Sequence, residues 1–245
     1  MQESDKNKFV LRIMIVKSYS SAEEAAKQLT EALLIQMQEK PEKPFSMAIS
    51  GGKNPALLFR LWANDYKTRF PWKRIQLYWV DERCVPPTDT ESNFLMTKTN
   101  LLDAVPLPEQ QIFRIHGEAD PSKEAFRYTK LVQKKLPEES NLPVFDCILL
   151  GVGPDGHTSS VFPGQEDLYK TATPYIENAH PQTKQVRVAL MPRTILNARQ
   201  IFFFATGAEK ADILKSVIAG DEHLPAGFIA HHSTNATLFT TEFNK

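Results

Sequence analysis

Apolar and polar positions along this chain fall into blocks of two kinds. Short apolar runs of strand length alternate with longer stretches whose apolar residues recur at helical spacing. Phe9 to Val16 is the first strand this pattern predicts. Ser21-Ala22-Glu23-Glu24 is a capping-box signature ahead of a helix running to about Gln38. Phe45 to Ile49 is the next strand, followed by Ser50-Gly51-Gly52-Lys53-Asn54-Pro55 and a helix with Leu57, Leu58, Leu61 and Trp62 on one face. Ile75 to Val80 is a third strand, ending at Asp81-Glu82-Arg83. A helix from about Ser92 to Leu102 and a short strand from Ile112 to Ile115 come next. Pro121 to Lys135 reads as a helix with proline in its first turn. The run 145–151, Gln185 to Leu190 and Ile201 to Ala205 give three more strands. Helices are expected at 193–198 and 208–219, and Ala236 to Thr241 closes the chain as a strand.

Strand and helix in alternation predict an α/β fold, a mostly parallel sheet covered by helices on both faces. No repeat, low-complexity segment or linker interrupts it. The proline-rich stretches 85–87 and 106–108 read as loops, so residues 1–245 are expected to form a single domain.

Composition narrows the functional classes. Lys and Arg number 29 against 29 Asp and Glu, so no polybasic or acidic field points to nucleic acid or a membrane surface. A small anionic ligand, which needs only a few local cations, stays open. Met1 to Lys8 is polar, without the apolar core of a signal peptide, and no apolar run reaches membrane-spanning length. Cys84 and Cys147 offer neither a disulfide framework nor metal-ligand spacing. A soluble, cytoplasmic protein is the expectation.

Chemistry concentrates where Phe145-Asp146-Cys147-Ile148-Leu149-Leu150 runs into Gly151-Val152-Gly153-Pro154-Asp155-Gly156-His157-Thr158. The carboxyl end of a parallel strand is where an open α/β sheet places its ligands. His157 is a group able to exchange protons near neutral pH, and Asp155 stands two residues away to orient it or balance its charge. Gly151, Gly153 and Gly156 also satisfy G-x-G-x-x-G, yet Phe162-Pro163-Gly164 breaks the long helix a dinucleotide loop requires. Asp155 would also face the pyrophosphate with a negative charge.

Ser50-Gly51-Gly52-Lys53-Asn54-Pro55 is a second candidate. Asn54 suits an N-cap and Pro55 the first helical position, so glycine amides and a helix dipole aim at a phosphate or carboxylate, with Lys53 adding charge. The alternative is a plain strand-to-helix turn. In Asp81-Glu82-Arg83-Cys84, Arg83 is suited to an anion through paired donors, or else Asp81 and Glu82 neutralise it. A nucleophilic Cys84 has no evident base, and Cys147 reads as core. Lys210, in the capping-box start Thr206-Gly207-Ala208-Glu209-Lys210-Ala211, opposes a helix dipole unless an anion sits there. Arg193, after Met191-Pro192, is placed similarly. His231-His232, taken as strand residues, point to opposite faces and make a poor metal pair. His116, His180 and His223 read as isolated and exposed. Ser159 and Ser160 lack the G-x-S-x-G frame, and no H-E-x-x-H occurs, so serine-nucleophile and metal-dependent hydrolysis are disfavoured.

Together these segments resemble the 6-phosphogluconolactonases of the glucosamine-6-phosphate isomerase/6-phosphogluconolactonase superfamily. The blocks are Ser50-Gly51-Gly52-x-x-Pro55, Trp79-Val80-Asp81-Glu82-Arg83-x-Val85-Pro86 with Ser92-Asn93, the segment from Leu149 to Gly164, Arg193-Thr194 and Gly207-x-x-Lys210. The resemblance spans roughly residues 10 to 240 and is most specific in the third block. It implies a Rossmann-like three-layer α/β/α fold and hydrolysis of 6-phospho-D-glucono-1,5-lactone to 6-phosphogluconate, the second step of the oxidative pentose phosphate pathway. No metal or organic cofactor is expected, and the partner is a small sugar-phosphate lactone, met by a monomer or small homo-oligomer. His157 would be the general base and Asp155 its orienting partner. Ser50, Gly51, Gly52, Lys53, Asp81, Arg83, Arg193 and Lys210 would form the substrate and phosphate site. The family usually has Ser or Thr where Lys53 stands, and often Thr where Asn54 stands. The aminosugar-phosphate isomerase/deaminase branch shares several blocks but carries a glutamate five residues after the histidine, where this chain has Phe162. A sugar-phosphate-binding regulator without catalysis is the other alternative.

Overall fold

The computed structural model describes residues 14–39 and 41–241. Met1 to Lys8 and residues 9–13 of the first expected strand lie outside them. In chain order the strands and α-helices are β1 (Ile15–Tyr19), α1 (Ala22–Glu39), β2 (Phe45–Ile49), α2 (Lys53–Asn64), β3 (Ile75–Trp79), β4 (Asp81–Arg83) and α3 (Asn93–Thr97). β5 (Ile112–Phe113), α4 (Pro121–Lys135), β6 (Glu138–Glu139), β7 (Leu142–Pro143) and β8 (Cys147–Leu150) follow. The chain continues through β9 (Tyr175–Ala179), β10 (Val186–Leu190), α5 (Pro192–Leu196), β11 (Ile201–Phe204), α6 (Ala211–Ile218), α7 (Pro225–His232) and β12 (Ala236–Thr241).

Seven strands form one sheet in the order β1-β12-β11-β8-β2-β3-β5, every neighbouring pair parallel. Strands β2 and β8 are buried along their whole length, as their apolar sequences require when helices cover both faces; the one polar residue, Ser46 on β2, donates from Oγ to Asp146 Oδ2 at 2.8 Å. Helix α1 packs on β1, β11 and β12 and against α2. Trp62 on α2, fully buried, donates from Nε1 to Thr30 Oγ1 on α1 at 2.8 Å, which fixes the two helices together without an orphaned indole N–H.

The strand order decides where a ligand fits. From β2 the chain crosses to β3 on one side; from β8 it proceeds to β11 on the other. The loops leaving β2 and β8 therefore diverge at neighbouring carboxyl ends and open a crevice between them, the switch point of an open parallel sheet. Ser50 Oγ donates to the Leu149 carbonyl at 2.9 Å across its base.

Several expectations change. Val186–Leu190 does not join the parallel sheet. It is the centre of a small antiparallel sheet, β4-β10-β9, whose outer strands the apolar pattern did not mark. The helix from Ser92 is α-helical only to Thr97 and continues as one π-helical turn, Lys98–Leu102. His231 and His232 end helix α7 and are not on a strand; both ring nitrogens approach Glu222, at 3.5 and 3.1 Å.

Candidate active site

The crevice is a cleft of about 280 Å³, lined on one side by Ser50, Gly51, Gly52 and Lys53. Helix α2 begins two residues earlier than the Asn-Pro signal suggests, with Gly52 as N-cap. Gly52 has φ 109°, a region that favours glycine, and this turns the chain so that the helix amino terminus faces the cleft. Asn54, freed from capping, donates from Nδ2 to the Thr206 carbonyl at 3.4 Å and accepts from Thr206 Oγ1 at 3.2 Å. That exchange ties α2 to the end of β11. Lys53 is exposed at the rim.

Opposite lies the loop after β8. His157 lines the cleft, and its Nδ1 stands 2.5 Å from Asp155 Oδ1, which also accepts from the His157 backbone N–H at 3.2 Å. With the carboxylate as acceptor, the imidazole carries its hydrogen on Nδ1 and keeps a lone pair on Nε2. Partial burial pushes the Asp155 carboxyl up, but the hydrogen bond and charge of His157 pull harder and leave it at about 2, below its ordinary 3.8. The Phe162 ring supports the imidazole, centroids 4.9 Å apart, and packs on His180 at 4.7 Å. His180 is thus a half-buried neighbour of the site and not an isolated surface residue.

Gly153 makes this geometry possible. A Cβ built there would lie 2.1 Å from His157 Nδ1 and 2.8 Å from Asp155 Oδ1. Gly153→Ala is expected to fold but to displace the imidazole, lowering turnover by about 10²-fold, as roughly ångström misplacement of a reacting group does. Steady-state kinetics beside circular dichroism test this; a folded Gly153→Ala with wild-type turnover contradicts it.

The Asp155 shift also sets an acid-side signature. A folded-state value below the unfolded one contributes stability above about 3.8 that is lost as pH falls toward about 2. Urea unfolding at pH 5 and pH 3 should show the wild type losing more stability than Asp155→Asn. Equal losses would mean the contact is not formed in solution.

The floor of the cleft is the small antiparallel sheet. Asp81 and Arg83 on β4 line it, as does Arg187 on β10, a residue the sequence pattern did not single out. Ser160 connects them: its hydroxyl donates to Asp81 Oδ2 and accepts from Arg187 Nη1, the latter at 3.1 Å. Ser159 and Ser160 hold φ of 51° and 53°, costly for non-glycine residues and fixed here by buried hydrogen bonds. Burial pushes the Arg187 guanidinium down from its ordinary value, with Asp81 opposing. Glu82 does not neutralise the Arg83 guanidinium. Its carboxylate accepts from the N–H groups of Arg83, Asn93 and Phe94 and from Ser92 Oγ, which pins α3 to β4. The freed Arg83 donates from Nη1 to the Glu91 carbonyl at 2.5 Å.

Lys210 reaches the cleft from the turn before α6, donating from Nζ to the Val152 carbonyl at 2.8 Å. Burial pushes its ammonium down, with Glu209 opposing. Arg193 is not brought in: it is exposed on α5, with Nη1 3.5 Å from the Lys170 carbonyl. Its strand-end position suggested a ligand, but β10 belongs to the antiparallel sheet and leaves the cleft before Arg193. Cys84 is pushed up to about 11 by burial and nearby Glu82, Glu177 and Glu124, which suppresses its thiolate. Cys147 is fully buried in β8. Among the described residues no group of three His, Cys, Asp or Glu is placed to hold a metal, and no helix is long and apolar enough to cross a membrane.

The chain is similar to known proteins in sequence and in fold. A 6-phosphogluconolactonase of Treponema pallidum is 41% identical over 184 residues, 75% of this chain and 76% of that one. The crystal structure of the devB protein superposes with a TM-score of 0.85 at 36% identity, covering 94% of this chain and 96% of that one. The 6-phosphogluconolactonase of Trypanosoma brucei superposes with a TM-score of 0.80 at 25% identity, covering 93% and 96%. Residues 18–239 match the model of the glucosamine-6-phosphate isomerases/6-phosphogluconolactonase family, and with that cleft at the switch point of a parallel sheet, the chain belongs to this family.

Proposed function

We propose that this chain hydrolyses 6-phospho-D-glucono-1,5-lactone to 6-phosphogluconate, the second step of the oxidative pentose phosphate pathway. The observation that carries this reading is the His157–Asp155 pair, 2.5 Å apart and presenting an imidazole to a cleft rich in cations. The names of the relatives support the same substrate.

A lactone is an activated ester, so the site has three tasks: deprotonate water, stabilise the oxyanion and hold the phosphate. The water oxygen attacks the lactone carbonyl carbon while its proton passes to His157 Nε2. Asp155 holds the imidazolium that forms. As the tetrahedral intermediate collapses, the bond from that carbon to the ring oxygen breaks. The ring oxygen takes the electron pair and receives the proton from Nε2, and the new carboxylic acid ionises to solvent. The amides of Gly51 and Gly52, with Arg83 and Lys210, provide the positive field for the phosphate and the developing charge. Asp81 orients Ser160 beneath the cleft, Ser50 braces its base, and Lys53 offers a further charge at the rim.

Phe162 disfavours the aminosugar-phosphate deaminase alternative. That branch uses a carboxylate at this position, and a phenyl ring packed on the imidazole moves no proton. In the proposed reading residues 1–245 act as one unit in the cytoplasm on a small-molecule substrate, without nucleic acid. The test is hydrolysis of freshly generated 6-phosphogluconolactone with the spontaneous rate subtracted. A wild-type rate no faster than buffer leaves only a sugar-phosphate-binding regulator.

A further inference from the structure

Arg83 and Arg187 are directly opposite residues in the antiparallel pairing of β4 with β10. Directly opposed residues project to the same face of a sheet, where like charges repel. Both side chains line the cleft, and Arg187 is only 8% exposed. Two buried or half-buried guanidinium groups on one face call for negative charge between or beside them.

The protein places none in contact with either fork. Among the described residues neither arginine forms an ion pair, and the Nε of each is buried without a hydrogen-bond partner. Their remaining bonds go to uncharged acceptors. Arg83 Nη1 reaches the Glu91 carbonyl; Arg187 Nη1 and Nη2 reach Ser160 Oγ and Gln185 Oε1, at 3.1 and 3.2 Å. These bonds orient the two planar forks but leave their charge unmatched. Asp81 stands one hydroxyl away, behind Ser160, and Glu91 and Asp155 act on Arg187 from a distance, Asp155 being already paired with His157; none of the three contacts either fork.

We propose that Arg187 acts with Arg83 as a two-arginine clamp for the substrate's phosphate dianion. A phosphate ester presents three terminal oxygens and close to two negative charges, and so accepts from two forks, whereas one fork already saturates a carboxylate. Arg187 is then a binding residue that the reading under Proposed function lacks, and the assignment rests on that reading for the phosphorylated ligand. It also accounts for the left-handed Ser160, whose hydroxyl fixes the approach of Arg187.

Two ligands that divide the substrate's chemistry test the clamp: inorganic phosphate, and gluconate, which has the carboxylate but no phosphate. Phosphate should raise the melting temperature of the wild type, the rise should vanish in Arg187→Met, and Arg187→Lys should keep part of it. With the lactone, Arg187→Met should raise KM by about tenfold to a hundredfold, the worth of a charge-assisted hydrogen bond, and lower kcat much less. If Arg187→Met keeps the wild-type phosphate shift, the clamp is wrong. Loss of a gluconate-induced shift alone places Arg187 at the carboxylate and overturns it as well. Should Arg187→Met fail to fold, Arg187→Gln carries the same comparison. A wild type that shows the phosphate shift, sensitive to Arg187, but hydrolyses no lactone retains the clamp and rejects the lactonase reading alone.

Discussion

Replacement of His157 by alanine is expected to lower kcat on 6-phosphogluconolactone by about 10²–10⁴-fold, the usual worth of a positioned general base. The imidazole is partly exposed, and truncation removes only its hydrogen bond to Asp155 Oδ1 and its packing on Phe162. The fold should persist, because β8 and the backbone bond from Gly153 N–H to the His157 carbonyl at 2.9 Å do not depend on the ring. KM should change little, since the proposed phosphate contacts lie elsewhere in the cleft. The lactone opens spontaneously, so the uncatalysed rate is subtracted and the assay started on fresh substrate. A His157→Ala protein with unchanged kcat removes the general base from the mechanism. Asp155→Asn should fall between the two proteins, because it keeps the packing but no longer fixes the hydrogen on Nδ1.

The largest effect on stability from a residue near the cleft is expected at Glu82. Its side chain is 2% exposed, and its two oxygens accept four hydrogen bonds from Arg83, Ser92, Asn93 and Phe94. Burial pushes this carboxyl up, while the four donors pull it down. Glu82→Ala strands those donors in a space closed to water, at a cost of about 3 kcal/mol. Because α3 carries Asn93, whose Nδ2 bonds the Asp81 carbonyl at 2.8 Å, the loss should also loosen the β4 side of the cleft. Urea unfolding reports the first effect and KM the second. Glu82→Gln should cost less, since its amide oxygen still accepts from one pair of donors. Equal stabilities of Glu82→Ala and wild type would mean that this buried network contributes nothing.

Much of the fold is written in local signals. Helix α4 runs Pro121–Lys135 as the sequence predicts, with Asp120 as N-cap accepting from the Lys123 N–H, proline opening the first turn and Lys134 and Lys135 ending the last. Strands β2 and β8 are equally legible, because burial on both faces demands a mostly apolar run. The His157 loop is legible as a candidate site because Gly-Pro-Asp-Gly-His follows such a run at the carboxyl end of a parallel strand. The start of α2 differs by two residues from its local signal. The Asn-Pro pair imitates a cap, and only the contact of Asn54 with Thr206, 152 residues away, shows where that side chain goes.

Arg187 and Arg193 mark the boundary most clearly. Both follow apolar strand residues, and local pattern gives Arg193 the better claim to a ligand. Strand register reverses the order: pairing β10 against β4 sets Arg187 opposite Arg83 at the cleft and leaves Arg193 on the exposed side of α5. Phe162 likewise reads in the sequence as a helix break and a missing glutamate, and only packing puts its ring against His157.

The sequence alone determined the alternation of strands and helices, the two glycine loops and the nearness of Asp155 to His157. Those depend on periodicity and on residues a few positions apart. Tertiary structure decided which cations share the cleft, which carboxylates serve as struts and which aromatic ring supports the imidazole. These are matters of register and strand order between segments far apart in the chain, and no local pattern encodes them.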